Sequence, residues 1–114
     1  SVLHETSEDR RIRMSTEVYS LDELNNKVIG LGQTWQDVSG SRVSGVTYTN
    51  TTGKPIFVHI SLAAGTTDYD AIQVDGITVG AEFTGGSSTN NFIVPDGSSY
   101  IVNGATISRW TELR

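Results

Sequence analysis

The stretch VTYTNTTGKPIFVHISL, residues 46–62, constrains the fold more than any other part of the chain. Val46, Tyr48 and the threonines beside them are β-branched or aromatic, types that suit a pleated, half-buried surface. The run Asn50 to Lys54 has turn chemistry, and Gly53 takes positive φ without steric cost. Pro55 has no N–H to donate, so it should start a strand or lie on an edge. After it, Ile56, Val58, Ile60 and Leu62 share one face, while Phe57, His59 and Ser61 share the other. The pattern predicts two strands in a central hairpin, the second forming an apolar wall. Val58 and Ile60 should be buried.

Length and composition narrow the class. A chain of 114 residues is one domain's worth. Twelve glycines and only two prolines, with abundant Ser and Thr, favour an all-β domain with tight turns. There is no cysteine, hence no disulfide framework and no thiolate metal site. A net charge of −5 without a basic stripe disfavours nucleic acid as a partner. No apolar run nears the ~20 residues that a bilayer span needs, so no membrane insertion is expected. The chain starts at Ser1 without a signal-peptide pattern, and is expected to be a piece of something longer.

Residues 1–15 mix both charge signs and read as a solvated lead-in or a helix end. Arg10, Arg11 and Arg13 form a basic patch, but Glu5, Glu8 and Asp9 dilute its field. Ser20 with Glu23 has the form of a capping box. Leu21, Leu24, Val28 and Leu31 follow at a/d spacing, which predicts a short coiled-coil seam. The plainer alternative is one amphipathic helix packed on its own domain. The oligomer reading is preferred, because so narrow a seam would cover little of a sheet. Gly30 and Gly32 should end the helix in a joint. The expected division is thus a lead-in and helical stem over 1–32 and a β-sandwich over 33–114.

Beyond the joint the chain reads as strands. Residues 34–38 form a short strand, and 63–70 a loop. Residues 71–75 and 77–83 pair about Asp75-Gly76, a strong hairpin signal. Residues 85–90 are a second loop, 91–94 a strand, and Pro95-Asp96-Gly97 a turn. Residues 100–102 and 105–113 close the domain. About eight short strands imply an antiparallel sandwich or jelly roll.

Few residues suggest chemistry. His4 and His59 lie in unrelated segments, and His59 reads as a surface or interface residue. Asp68, Asp70 and Asp75 could offer oxygens to Ca²⁺, but they match no calcium loop and read better as turn formers, so no metal or other cofactor is expected. Glu82 and Glu112 are the carboxylates a glycoside hydrolase would need in a close pair. Both should instead point outward and keep the sheet soluble. Among the aromatics, Tyr69 should be exposed and able to stack on a sugar ring. Trp35 and Trp110 should pack near the joint or at a subunit contact.

The stretch GLGQTWQDVSGSRVSGVTYTNTTGKPIFVHIS and the ending FIVPDGSSYIV…ISRWTELR resemble C-terminal domains of tailed-bacteriophage tail fibres and tailspikes. The matching positions are Gly30, Gly32 to Val38, Thr47 to Ile56, Val94 to Gly97 with Tyr100, and Trp110 with Glu112 to Arg114. Residues 30–114 are covered, and no catalytic residue comes over. The resemblance implies a surface-exposed homotrimeric head at the distal end of a virion fibre, facing the host cell. It implies recognition of a bacterial surface glycan or outer-membrane component as the function. The alternatives are a cap that only trimerises the fibre, and a part of a polysaccharide-degrading spike. Ligand contacts are expected from Asp68, Tyr69, Asp70, Ser87, Asn90 and Asn91, and the trimer seam from Leu21, Leu24, Val28 and Leu31.

Overall fold

The computed structural model describes residues 11–14, 17–63, 65, 67–104 and 106–114. It is all-β over the domain, with two antiparallel sheets of four strands each. The strands are β3 (Trp35–Asp37), β4 (Thr47–Thr49), β5 (Ile56–Leu62), β6 (Asp68–Val74), β7 (Ile77–Glu82), β8 (Ser88–Val94), β9 (Ser99–Val102) and β10 (Ile107–Leu113). One sheet runs β3-β10-β5-β8, the other β4-β9-β6-β7. The pairings are nested, β3 with β10, β4 with β9, β5 with β8 and β6 with β7. A long hairpin of eight strands rolled over on itself has this order, which makes the sandwich a jelly roll.

The nesting corrects the expected central hairpin. β4 and β5 lie in different sheets, so residues 50–55 are a crossover and not a hairpin turn. Asn50 holds the crossover shut. It is 3 % exposed, and its side-chain amide donates to the carbonyls of Lys54, Val94 and Pro95 at 2.7, 3.0 and 3.2 Å. Its Oδ1 accepts from the backbone and hydroxyl of Thr52. The facing crossover, residues 95–98, is bound to the first through Gly97 N and Asn50 O at 2.9 Å. The β6–β7 hairpin does form, with φ of +50° at Asp75 and +80° at Gly76, the two positive values a type I′ turn needs.

β5 has the expected alternation, and Val58, Ile60 and Leu62 are fully buried. They face Ile72, Val74 and Val102 from the other sheet within one core. Burying each such side chain contributes about 1.5–3 kcal/mol. Trp110 is 1 % exposed, and this corrects its expected place at the joint or a subunit contact. Its ring meets Tyr48 edge-on at 5.8 Å, and Tyr100 meets Phe92 at 5.5 Å, so aromatics from both sheets interlock at the centre.

The seam Leu21–Leu24–Val28–Leu31 is not one helix here. α1 spans Leu21–Asn25 and gives way to turns, which places Val28 and Leu31 beyond it. The backbone of Glu23 does bond Ser20 Oγ at 3.1 Å, one half of the expected capping box. Ahead of α1, β1 (Arg11–Met14) pairs antiparallel with β2 (Glu17–Ser20), where solvated chain or helix was expected. Residues 1–10 and 15, with Arg10 of the basic patch, lie outside the described residues. At the joint, Gln33 bonds Gly30 N and the Pro55 carbonyl, and Lys54 Nζ donates to the Leu31 carbonyl.

Candidate functional site

Asp68, Tyr69 and Asp70 were expected in a loop but are strand residues. They begin β6, where Asp68 stands opposite Glu82. Between that pair and Ile72↔Gly80, β6 has three intervening residues and β7 one, so β6 bulges. Bulges re-aim side chains. Here Tyr69 is 70 % exposed and sits 5.9 Å from Phe83, which is 49 % exposed. Their ring planes meet at 74°, so the two rings form an open corner.

The polar surroundings of the corner are fixed by short bonds. Asp68 Oδ1 accepts from Asp70 N at 2.9 Å, and Asp70 Oδ1 accepts from Thr78 Oγ1 at 2.7 Å. Thr67 and Thr84 are joined by reciprocal backbone-to-hydroxyl bonds of 2.8 and 3.1 Å, and their hydroxyls lie 2.6 Å apart. A carboxylate with one oxygen engaged still has lone pairs to accept a ligand hydroxyl. The arrangement therefore offers two aromatic faces, two acids and two hydroxyls at one end of a hairpin. That chemistry suits a polyol with an apolar ring face.

The remaining expected contacts do not join this corner as one site. Ser87 is exposed in the loop before β8. Asn90 is half-buried, and its side chain is bound to Ala81 at both backbone atoms, a structural role. Asn91 faces outward on the other sheet, where its Oδ1 lies 2.7 Å from His59 Nδ1. Phe83, Thr78 and the Thr67–Thr84 pair were missed. Nothing local in the sequence sets Phe83 apart from the other aromatics, and only the β6–β7 register brings it to Tyr69.

Glu82 and Glu112 are not the outward-facing acids expected, being 2 % and 0 % exposed. Arg42 reaches Glu112 Oε1 at 3.1 Å and Oε2 at 3.3 Å, and Arg114 reaches Oε1 at 2.8 Å. The Tyr100 hydroxyl donates to Glu112 and itself accepts from Trp110 Nε1. Burial, reinforced by Glu112, pushes the Tyr100 phenol well above its ordinary range. Burial opposes the charge on Arg42, but hydrogen bonds to Glu112 and Tyr100 outweigh it and raise its pKa. Glu112 is thus committed to two guanidiniums and a phenol, which makes it an internal cross-brace. Asp75, at the far turn of the β6–β7 hairpin, is held below the usual carboxylate range by Ser98 and the Ser99 backbone. Among the described residues no three His, Asp or Glu converge as metal ligands.

Compared with protein-family models, with curated proteins and with solved structures, the chain matches none.

Proposed function

We propose that this chain is the trimeric β head of a bacteriophage tail fibre or tailspike, and that it recognises bacterial surface polysaccharide. The motifs at residues 30–38, 47–56, 94–100 and 110–114 support the fibre reading by resemblance. The observation that carries recognition is the exposed Tyr69–Phe83 corner. A soluble domain gains nothing for its core from two aromatic rings turned to solvent, whereas a sugar's apolar face gains a stacking partner. Asp68 and Asp70 accept sugar hydroxyls, and the threonines donate or accept. One such corner binds modestly; three on one trimer, meeting one cell surface, raise apparent affinity by ~10²–10⁴.

A ligand-free cap is the second reading, favoured by a separate apolar row on the outer face of the other sheet, exposed at its two ends, Trp35 and Ile93. Binding to host cells and to a glycan array separates the two. Tyr69→Ala, Phe83→Ala and Asp70→Ala should each weaken binding, with the melting temperature held. Binding by the unaltered head that these variants leave unchanged moves the site elsewhere. Binding to cells that persists after their polysaccharide is stripped shows a protein receptor instead. No binding at all favours the cap.

A further inference from the structure

We infer that the outer face of the β3-β10-β5-β8 sheet is a contact surface for a second copy of this chain. The register places Trp35, Leu113, Phe57 and Ile93 in a single row across all four strands. Alternation turns the row outward, since the neighbours Glu112, Ile56, Val58, Phe92 and Val94 are buried. Trp35 and Ile93 at its ends are 55 % and 51 % exposed, with Phe57 and Leu113 half-buried between them. Trp35 meets Phe57 edge-on at 5.9 Å. At a strand spacing of about 4.8 Å the row is about 15 Å long. The next rows are polar, Asp37–Thr111–His59–Asn91 and then Arg109–Ser61–Thr89. On the other side lies the joint, with Leu31 exposed and its carbonyl held by Lys54.

Charge selects the occupant. The chain carries a net charge of −5, so two copies repel unless the surfaces that meet lack net acid. On the paired rows of this face one acid, Asp37, is offset by one base, Arg109. The paired rows therefore set no net acid against a second copy. The Tyr69–Phe83 corner has Asp68 and Asp70 beside it, and like charges set against each other oppose self-contact. Of the two exposed aromatic clusters, the sheet face is the one electrically suited to its own copy. The row alone is too small for a stable interface. A covered Trp or Phe contributes about 150–250 Å², against about 800 Å² per partner in a standard interface. The contact must extend over the polar rows, which gives an apolar strip with a hydrogen-bonding margin. The copy number rests on the homotrimer proposed above; the contact itself needs no ligand.

Sedimentation velocity of the unaltered chain, Trp35→Ser, Ile93→Ser and Tyr69→Ser over about 1–100 µM tests this. The unaltered chain and Tyr69→Ser should sediment as the same oligomer. Trp35→Ser and Ile93→Ser should dissociate at concentrations at least about tenfold higher, with the far-ultraviolet circular dichroism of the sandwich kept. Ile93→Thr, which keeps a β-branched strand residue, serves if Ile93→Ser loses its fold. Iodide should quench Trp35 only on dilution, read as the difference between the unaltered chain and Trp35→Phe. An oligomer that the face variants leave intact overturns this contact and spares the trimer. A monomeric unaltered chain overturns both, while glycan binding at the corner is read separately.

Discussion

The side-chain amide of Asn90 grips the backbone of Ala81, its Oδ1 accepting from Ala81 N at 3.2 Å and its Nδ2 donating to Ala81 O at 3.0 Å. Asn90 lies on β8 and Ala81 on β7, the edge strands of the two sheets. The amide thus imitates a ladder partner and joins the sheets where no strand pairs them. The grip explains Gly80. A Cβ there would lie 2.7 Å from Asn90 Oδ1 and 3.0 Å from Ile72 Cδ1.

Asn90→Ala should cost about 1–3 kcal/mol, the loss of two hydrogen bonds that leave Ala81 partly unsatisfied. Gly80→Ala should also destabilise, by forcing Asn90 off its partner. Because both act on one contact, the Gly80→Ala penalty should shrink in the Asn90→Ala background. Urea unfolding of the four chains checks this, and strict additivity would separate the two residues.

Tyr100 sets an alkaline limit on stability. Burial and Glu112 raise its phenol above the ordinary 10.0. Below that value both folded and unfolded chains keep the proton, and the stabilisation is complete. Above it the unfolded chain releases the proton first, so stability falls as pH rises toward the folded value. Between about pH 9.5 and 11.5 the melting temperature should fall more steeply than that of Tyr100→Phe. Asp75 acts in the opposite sense. Its lowered pKa contributes stability above the ordinary 3.8, and acid removes it. Asp75→Asn should flatten the acid limb slightly.

Ile60→Ala should cost about 2–5 kcal/mol, because Ile60 is fully buried and its removal leaves a cavity between the sheets. Ile93→Ala, on the outer face of the neighbouring strand, should cost the monomer below about 1 kcal/mol. Guanidinium unfolding of both variants at low concentration gives the comparison.

These contrasts show what the sequence carries. The alternation of β5 was legible, since period two is a local property of residues 56–62. The Asp75-Gly76 hairpin was legible for the same reason, as two residues carry its whole geometry. The partners of β4 and β5 were not. Asn50 to Pro55 has the same turn chemistry for a hairpin as for a crossover, and Asn50 closes the crossover on Val94, 44 positions away. Glu112 was misread because an acid on a strand defaults to the outside. Its partner Arg42 is 70 positions distant, and nothing local announces the pair. Asp68 and Asp70 have poor strand propensity, and the β6–β7 pairing on either side of the bulge, Asp68↔Glu82 and Ile72↔Gly80, overrides it. Of the candidate site, Tyr69 and its exposure were legible and Phe83 was not. The a/d spacing from Leu21 to Leu31 ran past the five-residue α1.

Tyr69 and Phe83 should matter little to the fold, which keeps a loss of binding interpretable. Tyr69 is largely in solvent and Phe83 about half exposed, and neither belongs to the buried core. Each alanine variant should change unfolding free energy by less than about 1 kcal/mol. Their coupling in a double-mutant cycle should be about 0.5–1.5 kcal/mol at most, the range for an aromatic pair beyond its buried area. Thr84→Val should cost more than its size suggests, because it removes the hydroxyl that accepts from Thr67 N at 2.8 Å. Thermal unfolding of Tyr69→Ala, Phe83→Ala, the double variant and Thr84→Val measures all three quantities. A melting temperature that collapses in Tyr69→Ala would make the corner a part of the scaffold rather than a surface held ready for a ligand.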